Sequence, residues 1–313
     1  MASMKAVSLE RYGNVDVLQY GDTLRPTPGA GEVLIRAQAT SVNPFDCAVR
    51  AGYVTGYYNY NLPLVLGLDV AGTVEEIGTG VTQFMPGDVV YARTDPGRNG
   101  AYAEYVLACA EEAAASPRSV KPVQAAAIPH VALTAWSMVE TAALVPGQTV
   151  LIHAAAGGVG HLAVQFAKMR GARVIGTAST QNQDFLREIG VDVPVDYTIT
   201  PFESVARNVD AVFDNVGGET QQRSWSLLKP GGILLSIVQP PSQEIADTYG
   251  VRQQFAGAGM AGGELLAKFA AMVDAGKLKV VVSKVLPLSE VQHAHTLVEG
   301  RHTRGKLVLE IAQ

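Results

Sequence analysis

The sequence predicts an α/β protein in which a doubly wound parallel sheet is joined to a β-rich, barrel-like domain. Three observations predict it. Short apolar runs punctuated by Gly and Pro fill the first third of the 313 residues. Strand and helix patterns alternate from Gln148 to about Lys284. One strand gives way to a helix at Ala154-Ala155-Ala156-Gly157-Gly158-Val159-Gly160, and that context makes a glycine cluster meaningful.

In chain order, apolar runs with β-branched residues at 6–9, 32–39, 69–78 and 89–92 read as strands. Pro28-Gly29, Gly78-Thr79-Gly80 and Pro86-Gly87-Asp88 supply the turns between them. The texture changes near Val123. Residues 150–153 have the look of a short buried strand, and the helix after them runs through Arg170. Val159, Leu162, Ala163, Phe166 and Ala167 share one face of that helix, and Gly171 fits its C-terminal stop. Strand 173–177, helix 181–189, strands 193–196 and 210–214, helix 219–228 and strand 232–238 follow. A helix at 263–275 and a strand at 279–284 close the series. A helix at 289–299 and a strand at 305–311 then return the chain to the first domain. The sequence shows no internal repeat and no low-complexity linker.

Composition narrows the function. Hydrophobic residues make up 48% and charged residues 17%, the balance of a globular protein with a sizeable core. A net charge of −5 without a basic run argues against binding nucleic acid or an anionic membrane. No stretch is long and apolar enough for a membrane helix. The start, MASMKAVSLE, lacks the apolar core of a signal peptide, so a cytoplasmic enzyme is the expectation. Two cysteines, Cys47 and Cys109, do not make a disulfide framework.

The glycine cluster suits a dinucleotide. Gly157 lets the backbone turn tightly beside a pyrophosphate, and Gly160 lets the helix pack closely on the strand. The free N–H groups of the first turn, around Ala156, Gly158 and Val159, then face the phosphates. The plainer alternative is a Gly-rich turn without a ligand. The next strand ends Gly176-Thr177-Ala178-Ser179-Thr180, without the carboxylate that binds the ribose 2′-hydroxyl of NAD. Asp184 lies a turn too far on. Small hydroxyls leave room for a 2′-phosphate, so NADP(H) is the expected cofactor. Ser179 fits an ordinary helix N-cap as well, and the two roles can coexist.

Beyond these residues, a longer pattern runs in order along nearly the whole chain. It comprises Ala154, Gly157 and Gly160; Asn43-Pro44-Phe45-Asp46 with Arg50-Ala51-Gly52; the run from Pro63 to Gly72; and Pro86-Gly87-Asp88. It continues with Gly100-Ala101-Tyr102-Ala103-Glu104-Tyr105, Leu133-Thr134-Ala135, Asp214-Asn215-Val216-Gly217, Lys229-Pro230-Gly231-Gly232 and Gly305-Lys306-Leu307-Val308-Leu309. This pattern resembles the zinc-independent quinone oxidoreductase (zeta-crystallin-like) branch of the medium-chain dehydrogenase/reductase superfamily. The resemblance implies a Rossmann doubly wound sheet at 124–285. It implies a GroES-like β-barrel domain at 1–123 and 286–313, with the active site in the cleft between them. Asn43 stands at the first zinc-cysteine position, and Gly67-Leu68-Asp69 replaces Gly-His-Glu. The cysteines of the structural zinc lobe are missing, so no metal is expected. The six histidines, His130, His153, His161, His293, His295 and His302, read as surface or satisfied core residues.

The same resemblance sets Asn43 and Thr134 near the nicotinamide. Asn43 is also a plausible turn residue before Pro44, and Thr134 can simply bond back within its helix. Asp46 is either an active-site carboxylate or a helix cap. Asn215, Val216 and Gly217 follow a buried strand at the sheet's carboxyl edge and suit the nicotinamide ribose. Ile237 and Val238 end the next strand and either flank the nicotinamide or belong to the core. Tyr197 and Arg301 resemble residues that reach the 2′-phosphate, although Arg301 also fits a surface role. Tyr53, Tyr57, Tyr58 and Tyr60 crowd a segment that borders the substrate cleft, and either a tyrosine, Tyr53 being the candidate, or solvent donates the proton. The Gly- and Gln-rich stretch 239–263 is a second cleft wall or a long connection. Strand 279–285 is expected to pair with its copy in a homodimer.

The expected function is NADPH-dependent hydride transfer to a quinone or an α,β-unsaturated carbonyl, by an enzyme without zinc. The competing readings are a non-catalytic NADPH-binding, redox-sensing protein and a zinc-free alcohol or enoyl reductase.

Overall fold

A computed structural model describes residues 2–257 and 262–312. The first part of the chain supplies strands β1 (Ser3–Leu9), β2 (Gln19–Leu24) and β3 (Glu32–Val42), then helix α1 (Pro44–Ala51). Strands β4 (Leu64–Val65), β5 (Asp69–Ile77), β6 (Val89–Arg93), β7 (Tyr105–Cys109) and β8 (Ala113–Ala115) follow. Helices α2 (Pro122–Ala125) and α3 (Pro129–Ala142) come next. Strands and helices then alternate through β9 (Thr149–Ile152), α4 (Gly158–Met169), β10 (Arg173–Ala178), α5 (Gln183–Glu188), β11 (Val193–Asp196), β12 (Val209–Asp214), α6 (Gly218–Ser224) and β13 (Leu228–Ser236). The chain continues through α7 (Gln243–Tyr249), β14 (Arg252–Phe255), α8 (Gly263–Asp274), β15 (Val282–Pro287), α9 (Val291–Glu299) and β16 (Lys306–Glu310).

These elements form two compact units, Met1–His130 with Ala261–Gln313, and Val131–Met260. In the first, the long strand β3 is the spine. It is buried along most of its length and pairs antiparallel with β5, β7 and β16, within a sheet of order β15-β16-β3-β5-β6-β8. A small sheet, β2-β1-β4, completes it. Its core joins Val7, Leu9, Ile35, Val70, Val74 and Tyr102 to Leu286, Leu307 and Leu309, so the last stretch of sequence closes the core that the first stretch began. Burying such side chains contributes on the order of 1.5–3 kcal/mol each before chain entropy is subtracted.

The second unit is a six-stranded parallel sheet of order β11-β10-β9-β12-β13-β14, as alternating β and α segments require. Val212, Leu151, Ile175, Leu234 and Trp225 belong to its own core. The chain forms the Rossmann fold with a separate, mainly antiparallel GroES-like domain. Helix α4 buries Leu162, Ala163, Phe166 and Ala167 as expected. It also buries His161 and Val164, while Val159 at its start is only half-buried.

The end of the parallel sheet departs from expectation. The strand anticipated at 279–284 does not close that sheet: β15 begins at Val282 and runs parallel to β16 in the first unit, pairing Leu286 with Leu309. The helix before it, α8, packs beside β8 in the same unit, where the buried Tyr91 hydroxyl donates to the Leu266 carbonyl at 2.5 Å. The sixth place in the parallel sheet belongs to β14, Arg252-Gln253-Gln254-Phe255, within a stretch expected to be loop. A β-branched run marks a strand without saying which sheet receives it. A polar edge strand such as β14 lacks the apolar pattern that reveals one. The same stretch contains helix α7, and its residues 258–261 lie outside the described residues.

Candidate functional site

From β9 the chain moves outward to β10 and β11, then returns to β12 on the other side. Loops leaving β9 and β12 therefore diverge, and the crevice beyond the carboxyl ends of the strands at such a reversal is where open α/β sheets bind ligands. The loop after β9 is tightly wound. Ala154 has φ +48°, a left-handed conformation that costs a non-glycine residue about 1–3 kcal/mol. A Cβ on Gly160 would lie 2.2 Å from the Ala154 carbonyl oxygen and 2.8 Å from the Ala155 Cα, so only glycine lets α4 start this close to the strand. The first intrahelical bond runs from the His161 N–H to the Gly157 carbonyl at 3.0 Å. The N–H groups of Gly158, Val159 and Gly160 therefore precede any helical acceptor and form an anion-seeking turn, with Ala156 buried behind them.

Asp214, buried at the end of β12, organises the facing loop. Its Oδ1 accepts the N–H groups of Val216 (3.0 Å) and Gly217 (2.8 Å), and its Oδ2 accepts from Gln221 (2.9 Å) and Ser236 (2.8 Å). Gly217, at φ +76°, turns the loop, and a Cβ there would meet Val238 Cγ1 at 3.1 Å. Asn215 donates to the His153 carbonyl at 2.8 Å, and its buried Oδ1 has no hydrogen-bond partner among the described residues. That orphaned acceptor beside the α4 turn fits a ligand carrying hydroxyls as well as phosphates. Ile237 is half-buried and Val238 is 46% exposed, so neither is a core residue. His153 itself is buried between Thr177 (3.2 Å) and Ser224 (2.9 Å), and burial lowers its pKa to about 4.

At the far end of the crevice, β10 and β11 bring Ser179 and Tyr197 together. The Tyr197 N–H donates to the Ala178 carbonyl at 3.2 Å, its side chain is 51% exposed, and the hydroxyls of Thr180 and Thr198 meet at 3.1 Å. Ser179 occupies an N-cap position, but its hydroxyl accepts from the Asn182 side chain at 3.1 Å rather than from backbone. Thr134 is buried on α3.

The first unit holds a second polar cluster. Asn43, fully buried at the N-cap of α1, gives its backbone N–H to Asp46 at 2.7 Å. Its side chain is turned elsewhere: Nδ2 donates to Asp69 Oδ2 (2.9 Å), and Oδ1 accepts from Lys306 Nζ (2.5 Å). Asp69 is also bound by the Ser41 hydroxyl (2.5 Å) and the His130 N–H (2.7 Å). Lys306 Nζ reaches the Val42 carbonyl at 3.0 Å, and burial lowers its pKa. Asp46 thus caps the helix, and burial raises its carboxyl to about 7. Tyr102 bridges Asp46 Oδ2 and His295 Nε2 at 3.2 Å each, and burial holds His295 down to about 3. Arg50 links His295 to Glu299, donating to the glutamate at 2.5 Å. Tyr53 stands apart at 82% exposure, while Phe45, Tyr58 and Tyr60 form the aromatic contacts. Arg301 is exposed with φ +57°.

Residue-level reading missed Asp69, Lys306, Tyr102 and Asp214 as organisers. Their signal was present: each is a charged or hydroxylated residue inside or bordering an otherwise apolar, buried run, and such a group must find partners.

Residues 29–118 match the family described as "Alcohol dehydrogenase GroES-like domain", and residues 189–309 match "Zinc-binding dehydrogenase". The chain is 33% identical to the mouse protein named "NAD(P)H oxidoreductase RTN4IP1, mitochondrial", over 98% of this chain and 89% of that one. It is 32% identical to the Arabidopsis thaliana "NADPH-dependent alkenal/one oxidoreductase, chloroplastic", over 98% and 79%. Among solved structures, the quinone oxidoreductase from Coxiella burnetii superposes with a TM-score of 0.91 at 34% identity, covering 99% of this chain and all 100% of that one. A mycobacterial protein complexed with NADPH superposes with a TM-score of 0.87 at 32% identity, covering 98% and 100%. The expectation of a cytoplasmic protein is corrected here: these relatives are named mitochondrial and chloroplastic, so the lack of a visible leader pattern does not locate this chain.

Proposed function

The chain belongs to the medium-chain dehydrogenase/reductase superfamily, and from that premise we propose that it is a zinc-independent, NADPH-dependent reductase of quinones and α,β-unsaturated carbonyls. It is an oxidoreductase, and NADP(H) is its cofactor. When bound, NADPH supplies the hydride. The chain's own residues bind and orient. The N–H groups of Gly158, Val159 and Gly160 take the pyrophosphate, and Gly157 leaves the backbone open to it. Ser179 and Tyr197 take the adenosine phosphate. Asn215, Val216, Gly217, Ile237, Val238 and Thr134 serve the nicotinamide end.

The observation that carries the zinc-free reading is the state of Asn43. Zinc needs anionic or imidazole donors with free lone pairs. Here an amide stands at the cysteine position with its oxygen already taken by Lys306. The Asp69 carboxylate is already held by Ser41, Asn43 and His130, and Leu68 stands where the ligand histidine would be. These residues do not fit zinc. Without a Lewis acid to ionise an alcohol, an acceptor that is already electrophilic is the natural partner. Stopped-flow NADPH oxidation against a panel of quinones and enones tests the reading. Turnover with members of both classes is expected. Tight NADPH binding with no turnover of any acceptor contradicts it and favours a binding protein.

A further inference from the structure

A chain of buried side chains runs from the turn between β9 and α4 to the end of α6, wholly within the second unit. Ser224 gives its single hydroxyl hydrogen to the Thr220 carbonyl at 2.7 Å. Toward His153 Nε2, 2.9 Å away, it can only accept, so Nε2 carries the ring's proton. Burial lowers the His153 pKa to about 4, which leaves the ring neutral near pH 7 and Nδ1 a bare acceptor. The Thr177 hydroxyl donates to Nδ1 at 3.2 Å. With that hydrogen committed, the Thr177 oxygen is left to accept, and the Ala154 N–H reaches it at 3.3 Å. Every bond in the chain therefore points one way, from the turn toward α6. It starts at a residue that needs holding, because Ala154 is left-handed at φ +48°. The Ala154 carbonyl in turn accepts the Gly157 N–H at 2.9 Å, so the placement of Ala154 passes to the start of α4. There Gly157, Gly158 and Val159 are half-buried and open to a ligand, whereas His153, Thr177 and Ser224 are buried.

We propose that His153 is a positioning residue for the cofactor: its ring aims the Thr177 hydroxyl so that Ala154 keeps its left-handed conformation and the first N–H groups of α4 stay aligned for the NADPH pyrophosphate. This rests on the NADPH site proposed above, and His153 acts on it only through Thr177 and Ala154. Without an acceptor at the Nδ1 position, the Thr177 hydroxyl is free to rotate, and its oxygen no longer faces the Ala154 N–H. One of the bonds that offset the cost of a positive φ at an alanine is then lost. The turn relaxes, and a pyrophosphate must restore it on binding, so the penalty falls on NADPH affinity. Two other bonds limit the loss: Asn215 Nδ2 donates to the His153 carbonyl at 2.8 Å, and the Ala155 N–H to the Thr177 carbonyl at 2.9 Å.

The test sets His153→Gln against His153→Asn in the full chain. Glutamine carries an amide nitrogen near the Nε2 position and can donate to Ser224, but it brings no acceptor to Thr177. Asparagine carries its oxygen near the Nδ1 position and can accept from Thr177, but it does not reach Ser224. Fluorescence titration with NADPH is expected to find His153→Gln weakened about tenfold and His153→Asn within about threefold of wild type. Thr177→Val should weaken binding as much as His153→Gln, and Thr177→Ser should not. The double variant of His153→Gln with Thr177→Val should bind no worse than either alone, because one residue works through the other. A role in packing alone predicts the reverse order, since glutamine fills the space of the ring better than asparagine, and affinity would then follow the melting temperature. Undiminished affinity in His153→Gln overturns the proposal, and so does a His153→Asn protein as weak as His153→Gln. Should the His153 variants fail to fold, Thr177→Val and Thr177→Ser decide, and equal affinity in those two overturns it. A wild type that does not bind NADPH contradicts the cofactor site itself, whereas a binding wild type with unaffected variants contradicts only the role of His153.

Discussion

Asp46 shows how much one side chain's job depends on burial. As a sequence residue it fits a catalytic carboxylate and a helix cap equally. In the fold it accepts the Asn43 N–H at 2.7 Å, and Tyr102 stands at 3.2 Å. Burial raises its carboxyl from 3.8 to about 7, more than its hydrogen bonds and Lys306 lower it. The folded protein therefore holds this proton where the unfolded chain releases it. The resulting stabilisation is complete below pH 3.8 and is lost as the pH rises to about 7. Asp46→Asn stays neutral throughout, so its stability relative to wild type should rise across that interval by on the order of 1–4 kcal/mol. Urea unfolding at a series of pH values reads this directly, and parallel profiles for the two proteins would show that Asp46 titrates normally. The cap was within reach of sequence reasoning, because Asp46 stands three residues after Asn43. Its raised pKa was not, because that comes from burial among residues distant in sequence, which outweighs the lowering by Lys306 and by the Tyr102 hydrogen bond.

At the scale of elements, the junction of β9 and α4 separates two uses of glycine. Gly160 is sterically required: any Cβ collides with the Ala154 carbonyl at 2.2 Å. Gly157 is not: a Cβ there meets only that oxygen at 3.2 Å, and its φ of −77° suits any residue. Gly160→Ala should cost about 1–3 kcal/mol through overpacking. Gly157→Ala should leave the unfolding midpoint nearly unchanged while weakening NADPH binding, if the pyrophosphate sits on this turn as proposed. Calorimetric melting beside fluorescence titration checks both, and a Gly157→Ala protein with undiminished affinity would place the phosphates elsewhere. This junction was legible because glycine spacing, strand end and helix start agree locally. Strand β14 was hidden for the opposite reason. Its four residues are polar except Phe255, and only pairing with β13 makes it a strand.

At the scale of the whole molecule, two sheet edges matter for assembly. Edge strand β15 carries exposed Lys284 and Pro287, features that discourage pairing, while edge strand β14 carries neither and exposes Phe255 at 47%. We propose a homodimer that forms through the β14 edge; the strand at 279–285, the edge first expected to pair, lies beside β16 in the first unit. Sedimentation should find a dimer that Gln254→Pro converts to monomer, and a wild-type monomer at micromolar concentration would reject it. The fold class was legible along most of the chain because alternating βα texture and glycine turns are local signals. The assignment of α8 and β15 was not, since it depends on partners such as Tyr91 and β16. The candidate site was legible in part: the tight glycine turn at the start of α4 follows from spacing, but the Lys306–Asn43–Asp69 cluster joins residues from opposite ends of the sequence. The central claim is that this oxidoreductase reduces its acceptor without a metal. It is tested most directly by NADPH oxidation with a quinone and an enone after exhaustive dialysis against a chelator. Undiminished turnover with no metal in the protein is the predicted result, and activity lost on chelation and restored by zinc alone would contradict it.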